Sequence, residues 1–434
     1  SVMLMAGRVE ETKTRLAGSF KSEPALAMSS LGAVRNYYLA QDDRDSAHAW
    51  VEQLLGLGLD ERMTATLTTW QVEEYLHRED VDRVCTILAA AVKSLPGEHV
   101  ADVVGPVIAR VVKAEQADLL AQILDLVEGV PDGPPRLVEL AAVYRIELDA
   151  MRGNLPQAIA AFADFLETEN LSAVRYVFTS LSGRASKQDD RAAVDSLCLA
   201  VLDRQEAAAE SIQRSAVTTY CKAAASPEHV AEYPTRIAKL LELGLSPEMI
   251  RTPFVGRYGT IIQTGDAELV RSMIGLAEQL SALVDDEQEK DTYLALALDG
   301  YVSLDDYRKA VAMVDKGFRK ADSEWQAVMV PKLRAHLAME EGRAQEAILH
   351  FREFMRAAAA QTPGSVALSR MLGMNAARIG DLWSGIGEAD KAQAAYVEAR
   401  AHYNEVLTSD GLPPEQKKLI GEQLARIAGQ LETE

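Results

Sequence analysis

The sequence predicts an all-α chain made of stacked antiparallel helix pairs. Three observations carry this. Ala, Leu, Glu and Arg, all strong helix formers, dominate the residue balance, and runs alternating β-branched with polar residues are scarce. Breaker-plus-alanine segments recur in one form, as in Gly153–Ala158 (GNLPQA) and Gly387–Ala392 (GEADKA). Apolar and small residues return in matching order roughly every 34–45 residues, giving about ten helix pairs and a closing helix.

The first segment, residues 1–133, opens with Gly7, Thr12, Leu16, Ser19 and Pro24 at the turn, crossing, core and terminal-proline places of a unit. The first helix of that unit is cut short and no initiator methionine precedes it, so the chain reads as beginning inside a repeat. The next unit, 28–60, places Leu31, Tyr38, Ala47, Val51 and Leu54 in its core, with Gln41–Ser46 (QDDRDS) as its turn. Units at 65–98 (Tyr75, Val84, Leu88, Ala91, Pro96) and 100–133 (Val103, Val111, Leu119, Ile123, Leu126, Pro131) follow. In both, a proline stops the second helix. Pro131–Pro135 (PDGPP) is the densest breaker run, read as an inter-repeat loop in preference to a hinge.

The second segment, 134–284, begins with a clear unit at 139–172 built on Ala142, the GNLPQA turn, Phe162 and Phe165. The pattern then weakens over 174–246: Val177, Leu181, Val194 and Leu197 suggest one degenerate unit. Tyr220, Val230, Ile237, Leu240 and Leu241 suggest another, interrupted by Pro234. It recovers at 251–284 with Ile261, Gly265, Val270, Ile274 and Ala277.

In the third segment, 285–434, Asp285–Asp291 (DDEQEKD) is an acidic loop or helix start. One unit follows on Leu294, Ala297, Tyr301, Ala310, Val314 and Gly317, and another on Ala335, Ala338, Gly342, Ala347, Phe351 and Phe354. The best-formed copy is Gly373–Asn404. There Ile379 and Trp383, one turn apart, face the second helix. Gly380 is expected to let two backbones approach, and Gly387 to end the first helix in the left-handed region. Ala392, Tyr396 and Ala399 continue the buried stripe. After Pro413–Pro414, Leu419, Ile420, Leu424, Ile427 and Leu431 form one apolar stripe on a helix otherwise Glu, Lys, Gln and Arg, the form of a cap.

On those residues the chain resembles the tetratricopeptide repeat, a unit of about 34 residues. The resemblance implies a right-handed α-solenoid, a superhelix of antiparallel pairs in which no unit is stable alone. The family's early tryptophan is absent; Leu31, Ala142, Leu294 and Ala376 stand there.

The formal charge of −20 opposes general nucleic-acid binding, because phosphate contacts need a basic surface. Cys85, Cys198 and Cys221 form no disulfide framework and read as small buried hydrophobes. No apolar run reaches the roughly 18 residues of a membrane span, so a soluble chain is expected, with cytoplasm and periplasm both open. The seven histidines show no metal spacing and read as surface or groove residues. Asp42, Asp43 and Asp45 lack the glycine and closing glutamate of a calcium loop and read as a solvated turn. Gly385–Gly387 is a hairpin turn, and no nucleophile elbow occurs. No catalytic residue, metal or cofactor is therefore expected.

In the family, first helices line a concave groove, and the resemblance implies ligand contacts from fixed places on them. Here these are Asn36, Glu73, His77, Glu147, Asp299, Lys332, His336, Glu340 and Asp381, with Leu39, Ala40, Met151, Val302, Met339 and Ser384 beside them. Acidic groups are in excess, and the Lys/Arg clamp by which members hold a terminal carboxylate is missing. The expected partner is a protein or extended peptide with basic or apolar side chains. The leading function is a non-catalytic interaction scaffold. The alternative is the non-catalytic repeat arm of a larger enzyme or of an envelope or secretion component, motivated by the shortened first repeat. A pentatricopeptide-like RNA reader, suggested by Leu54–Met63 and Leu240–Ile250, lacks the basic groove it needs.

Overall fold

A computed structural model describes residues 8–22, 24–130, 133–168, 170–319, 322–361, 364–409 and 412–432, with the side chains of residues 20–31 excepted. The turn expected at Gly7, the stop at Pro131 and the core place of Leu31 lie outside what is described, whereas Pro24 follows the helix that ends at Ser22 and opens the next one. Among the described residues every regular element is helical. The chain divides into two compact units, Ser1–Ala223 and Ala224–Glu434.

The first unit holds α1 (Val9–Ser22), α2 (Pro24–Leu39), α3 (Arg44–Leu55), α4 (Glu61–His77), α5 (Val81–Ser94), α6 (Gly97–Lys113), α7 (Ala117–Glu128), α8 (Pro135–Met151), α9 (Leu155–Phe165), α10 (Leu171–Lys187), α11 (Arg191–Leu202) and α12 (Glu210–Lys222). Five antiparallel pairs run from α2/α3 to α10/α11. First helices pack on first helices, α4 on α6 on α8 on α10, and second helices on second helices, α5 on α7 and α9 on α11. This is the layering of a helical-repeat stack. One core cluster joins Val100, Val103, Val104, Val107 and Ile108 of α6 to Leu120, Ile123 and Leu124 of α7 and Leu137 of α8.

The second unit holds a short 3-10 turn (Val230–Glu232), α13 (Tyr233–Glu242), α14 (Pro247–Ile262), α15 (Ala267–Leu283), α16 (Glu287–Ser303), α17 (Tyr307–Asp315), α18 (Ser323–Glu340), α19 (Ala344–Gln361), α20 (Val366–Gly385), α21 (Ala389–Leu407) and α22 (Pro414–Glu432). Four pairs run from α14/α15 to α20/α21. Pro234 stands in the first turn of α13, where its missing N–H costs nothing, so it opens a helix and does not interrupt one. The acidic run at 285–291 is likewise a helix start: Asp286 accepts from the backbone N–H of Glu289 at 2.8 Å.

One turn design joins the two helices in all nine pairs. Asp42, Glu79, Glu115, Gly153, Asp189, Gly265, Asp305, Gly342 and Gly387 have φ between 54° and 81°. Each lies two residues before the first residue of the second helix. In most, the amide after it donates back to a carbonyl of the first helix, as from Asp80 to Tyr75 and from Glu388 to Trp383, both at 3.0 Å. This is the Schellman arrangement, which satisfies carbonyls left free at a helix end. Within the weak stretch expected over 174–246, α10/α11 is a regular pair with its turn at Asp189, and the break comes after it, where no such turn links α12 to α13, which belong to different units.

At α20/α21 the glycines act differently from each other. Gly387 has φ +80° and ends the first helix as expected. A Cβ on Gly380 would lie 2.5 Å from the Tyr396 ring, so Gly380 makes room for an aromatic ring and not for a second backbone. On α22, Ile420 and Ile427 are buried and Leu424 and Leu431 pack beside them, while Leu419 points outward at 55% exposure.

Candidate functional site

The first helices carry charge on the face where ligand contacts were expected. In the first unit those charges are paired with each other. Arg35 on α2 donates to Glu73 on α4 at 2.9 Å, and Arg110 on α6 reaches the other oxygen of Glu73 at 2.8 Å. Arg35 also lies 4.9 Å from the Trp70 ring centroid. His77 is exposed and lines a 400 Å3 cleft with Glu73, Leu76, Arg110 and Lys113, and Asn36 is exposed on α2. Further along, Glu147 on α8 is fully buried. Arg184 on α10 lies 3.5 Å from its carboxylate and 2.9 Å from Glu115. Burial raises the Glu147 pKa, opposed by Ser180 and Arg184. The acidic excess of this face is thus largely consumed in bonds that tie one repeat to the next.

The second unit is different. Lys332 and His336 of α18, Arg370 and Arg378 of α20, and Arg426 of α22 gather around one surface. His336 is buried, stacked 4.5 Å from Tyr307 and edge-on to Phe351 at 5.3 Å. That corrects the expectation of a surface or groove histidine. Burial, with Arg378 and Lys332 adding, lowers its pKa to about 4. The neutral ring therefore offers Nε2 to Arg378, whose Nη1 lies 3.4 Å away. Lys332 is also half-buried and its pKa is lowered, first by desolvation and then by Arg378. Asp299 of α16 lies within the field of Lys332 and Arg319. Glu340 is exposed, and its pKa is raised by desolvation and by Asp305 and Asp306. Asp381 accepts from the Tyr396 hydroxyl at 2.8 Å and from Arg426 at 3.0 and 3.1 Å.

Among the described residues, Lys332 and two arginines of α20 stand without such partners. Neither Arg370, exposed, nor Arg378, half-buried, has a carboxylate within ion-pair distance among the described residues. They share one face of α20 with Met374 between them, because residues four apart lie one above the other. Together with Asp381, Tyr403 of α21 and Leu419, Gln423 and Arg426 of α22, they line a cleft of 460 Å3. A second cleft of 510 Å3 continues along α20 on Val366, Ala367, Met371 and Met374, with Val406 and Leu412. Val366, Met374 and Leu419 are 41%, 40% and 55% exposed.

The sequence reading placed Lys332, His336 and Asp381 here but missed Arg370, Met374, Arg378, Tyr403, Leu419 and Arg426, and expected no basic clamp. The signal was present as Arg370–Arg378 (RMLGMNAAR), two arginines bracketing a methionine at four-residue steps. The structure also separates the cysteines: Cys198 and Cys221 are buried, whereas Cys85 is partly exposed and donates to Gln122 at 3.2 Å. Among the described residues no group of three or more His, Cys, Asp and Glu side chains could hold a metal, and no helix is long and apolar enough to cross a membrane.

No protein-family model and no curated protein matches the chain. Among solved structures it is similar to the Naa15/Naa10 complex bound to HypK-THB, at 15% identity over 98% of this chain and 78% of that one, with a TM-score of 0.23. It is similar to yeast Tom70 at 12% identity over 95% and 97%, with a TM-score of 0.23. It is similar to the APC/C Cut9–Hcn1 hetero-tetramer at 13% identity over 91% and 95%, with a TM-score of 0.24. At these scores the likenesses carry no conclusion about this chain.

Proposed function

We propose that the chain is a non-catalytic scaffold of the tetratricopeptide kind whose second unit holds an extended peptide of a partner protein in the α20–α22 cleft. The repeated left-handed turn and the packing of first helix on first helix support the repeat assignment. First helices start at 24, 61, 97, 135 and 171, and at 247, 287, 323 and 366, a longer step than the family's. The observation that carries the peptide reading is the pair Arg370 and Arg378, unneutralised in a chain of charge −20 and set beside exposed Met374 and Leu419. Apolar side chains of the peptide suit Met374, Leu419 and Val366. Acidic groups, in place of the expected basic ones, suit the arginines, since a half-buried cation gains most from an opposite charge that displaces its water.

The test is selection of a displayed random-peptide library against the intact chain. Recovered peptides are then titrated against the double variant Met374→Glu/Leu419→Glu and against Val138→Glu, an exposed change in the first unit. Loss of binding with the double variant and retention with Val138→Glu are expected. Peptides indifferent to the double variant, or no enrichment, would overturn the reading.

A further inference from the structure

Resting on that peptide reading, we infer that the cleft recognises an internal segment of its partner with two acidic side chains four residues apart and an apolar side chain midway. The spacing follows from α20 itself. Arg370 and Arg378 are eight residues apart on one helix, about 12 Å along its axis. Met374 lies halfway and is 40% exposed. An extended peptide advances about 3.3 Å per residue and turns every second side chain to the same face. Its residues i and i+4 are then about 13 Å apart, and i+2 falls between them on that face. A carboxylate at each end reaches one arginine, and the middle residue meets Met374 from α20 and Leu419 from α22. The pattern reads the same in either chain direction, so the peptide's polarity is not restricted by it.

The rest of the wall sets limits. Asp381 lies three residues beyond Arg378, and its carboxylate is already taken by Tyr396 and Arg426. It would repel a third acidic group in line with the first two. Lys332 and neutral His336 stand behind Arg378 and supply no carboxylate to compete for it. A partner's terminal carboxylate could satisfy only one of two sites about 12 Å apart, so a free chain end gives no advantage.

The probe is a fluorescein-labelled peptide of sequence Ser-Glu-Ser-Leu-Ser-Glu-Ser, blocked as the amide, titrated by anisotropy against the intact chain. Binding is expected, weakened about tenfold by Arg370→Gln or by Arg378→Gln, each the loss of a charge-assisted contact. Moving the second Glu by one residue, or replacing Leu by Ser, should weaken it comparably, while a free C-terminal acid should change little. Arg370 is exposed, so Arg370→Gln reports on binding without disturbing the fold, and circular dichroism checks both variants. Equal binding of the shifted peptide, tighter binding through the free acid, indifference to Arg370→Gln, or preferential displacement by a single-stranded oligonucleotide would overturn the inference. If library peptides require Met374 and Leu419 but show no acidic spacing, this register fails while the peptide reading survives. If no peptide requires the cleft, both fail.

Discussion

Single atoms decide much of the second unit. Gly380 sits under the Tyr396 ring, where a Cβ would approach to 2.5 Å; Gly385, five residues on, has nothing within 4 Å. Gly380→Ala should therefore overpack the α20/α21 crossing and cost about 1–3 kcal/mol, read from urea unfolding, whereas Gly385→Ala should be close to neutral. A harmless Gly380→Ala would mean that Tyr396 shifts freely. His336 adds a pH dependence. Its folded pKa of about 4 lies below its ordinary value of 6.5, so between those values the unfolded chain binds the extra proton. Stability from this group is complete above pH 6.5 and falls by up to about 3 kcal/mol as pH drops to 4. His336→Gln should flatten the slope of unfolding free energy across that window. Parallel slopes for the two proteins would show that the ring titrates normally.

The elements repeat a turn more faithfully than they repeat a sequence. Gly153, Gly265, Gly342 and Gly387 hold the left-handed place without strain, but Asp42, Glu79, Glu115, Asp189 and Asp305 hold it with a side chain. Glu79→Gly and Asp189→Gly should each stabilise the first unit by about 0.5–1 kcal/mol, the relief of strain less the entropy glycine adds to the unfolded chain. A lowered melting temperature would count against this account. The same mixture explains what the sequence could disclose. GNLPQA and GEADKA were legible because glycine marks the turn. Glu79-Asp80 and Asp189-Asp190 adopt the same geometry yet look like ordinary acidic surface. Helix pairs were legible from apolar spacing within each helix. The site was not, since Glu73 between Arg35 and Arg110 is a relation across three helices. Whether Glu73 faces a ligand or a neighbouring arginine depends on how repeats stack, which no local pattern encodes. Arg378 was overlooked because the family's contact places fall beyond it on the same helix, at Asp381, about one turn on, and Ser384, nearly two.

Across the whole molecule the two compact units hold core clusters of different composition, one over 65–148 and one over 335–427. That of the first is rich in Val, Leu and Ile. That of the second sets nine alanines, among them Ala376, Ala395 and Ala399, against Phe351, Phe354, Tyr396 and Tyr403, and is closed by Ile420 and Ile427 of α22. In a repeat stack each element gains stability only from its neighbours, so damage at α22 should stay local. Ile427 is fully buried, and Ile427→Ala should cost the second unit about 2–4 kcal/mol through lost burial and the cavity left behind. Hydrogen exchange should then quicken in peptides from 335–427 while protection over 65–148 is kept, and denaturant unfolding should separate into two steps. If protection falls equally in both regions, the chain unfolds as one cooperative body, and the division at Ala223 is one of geometry alone.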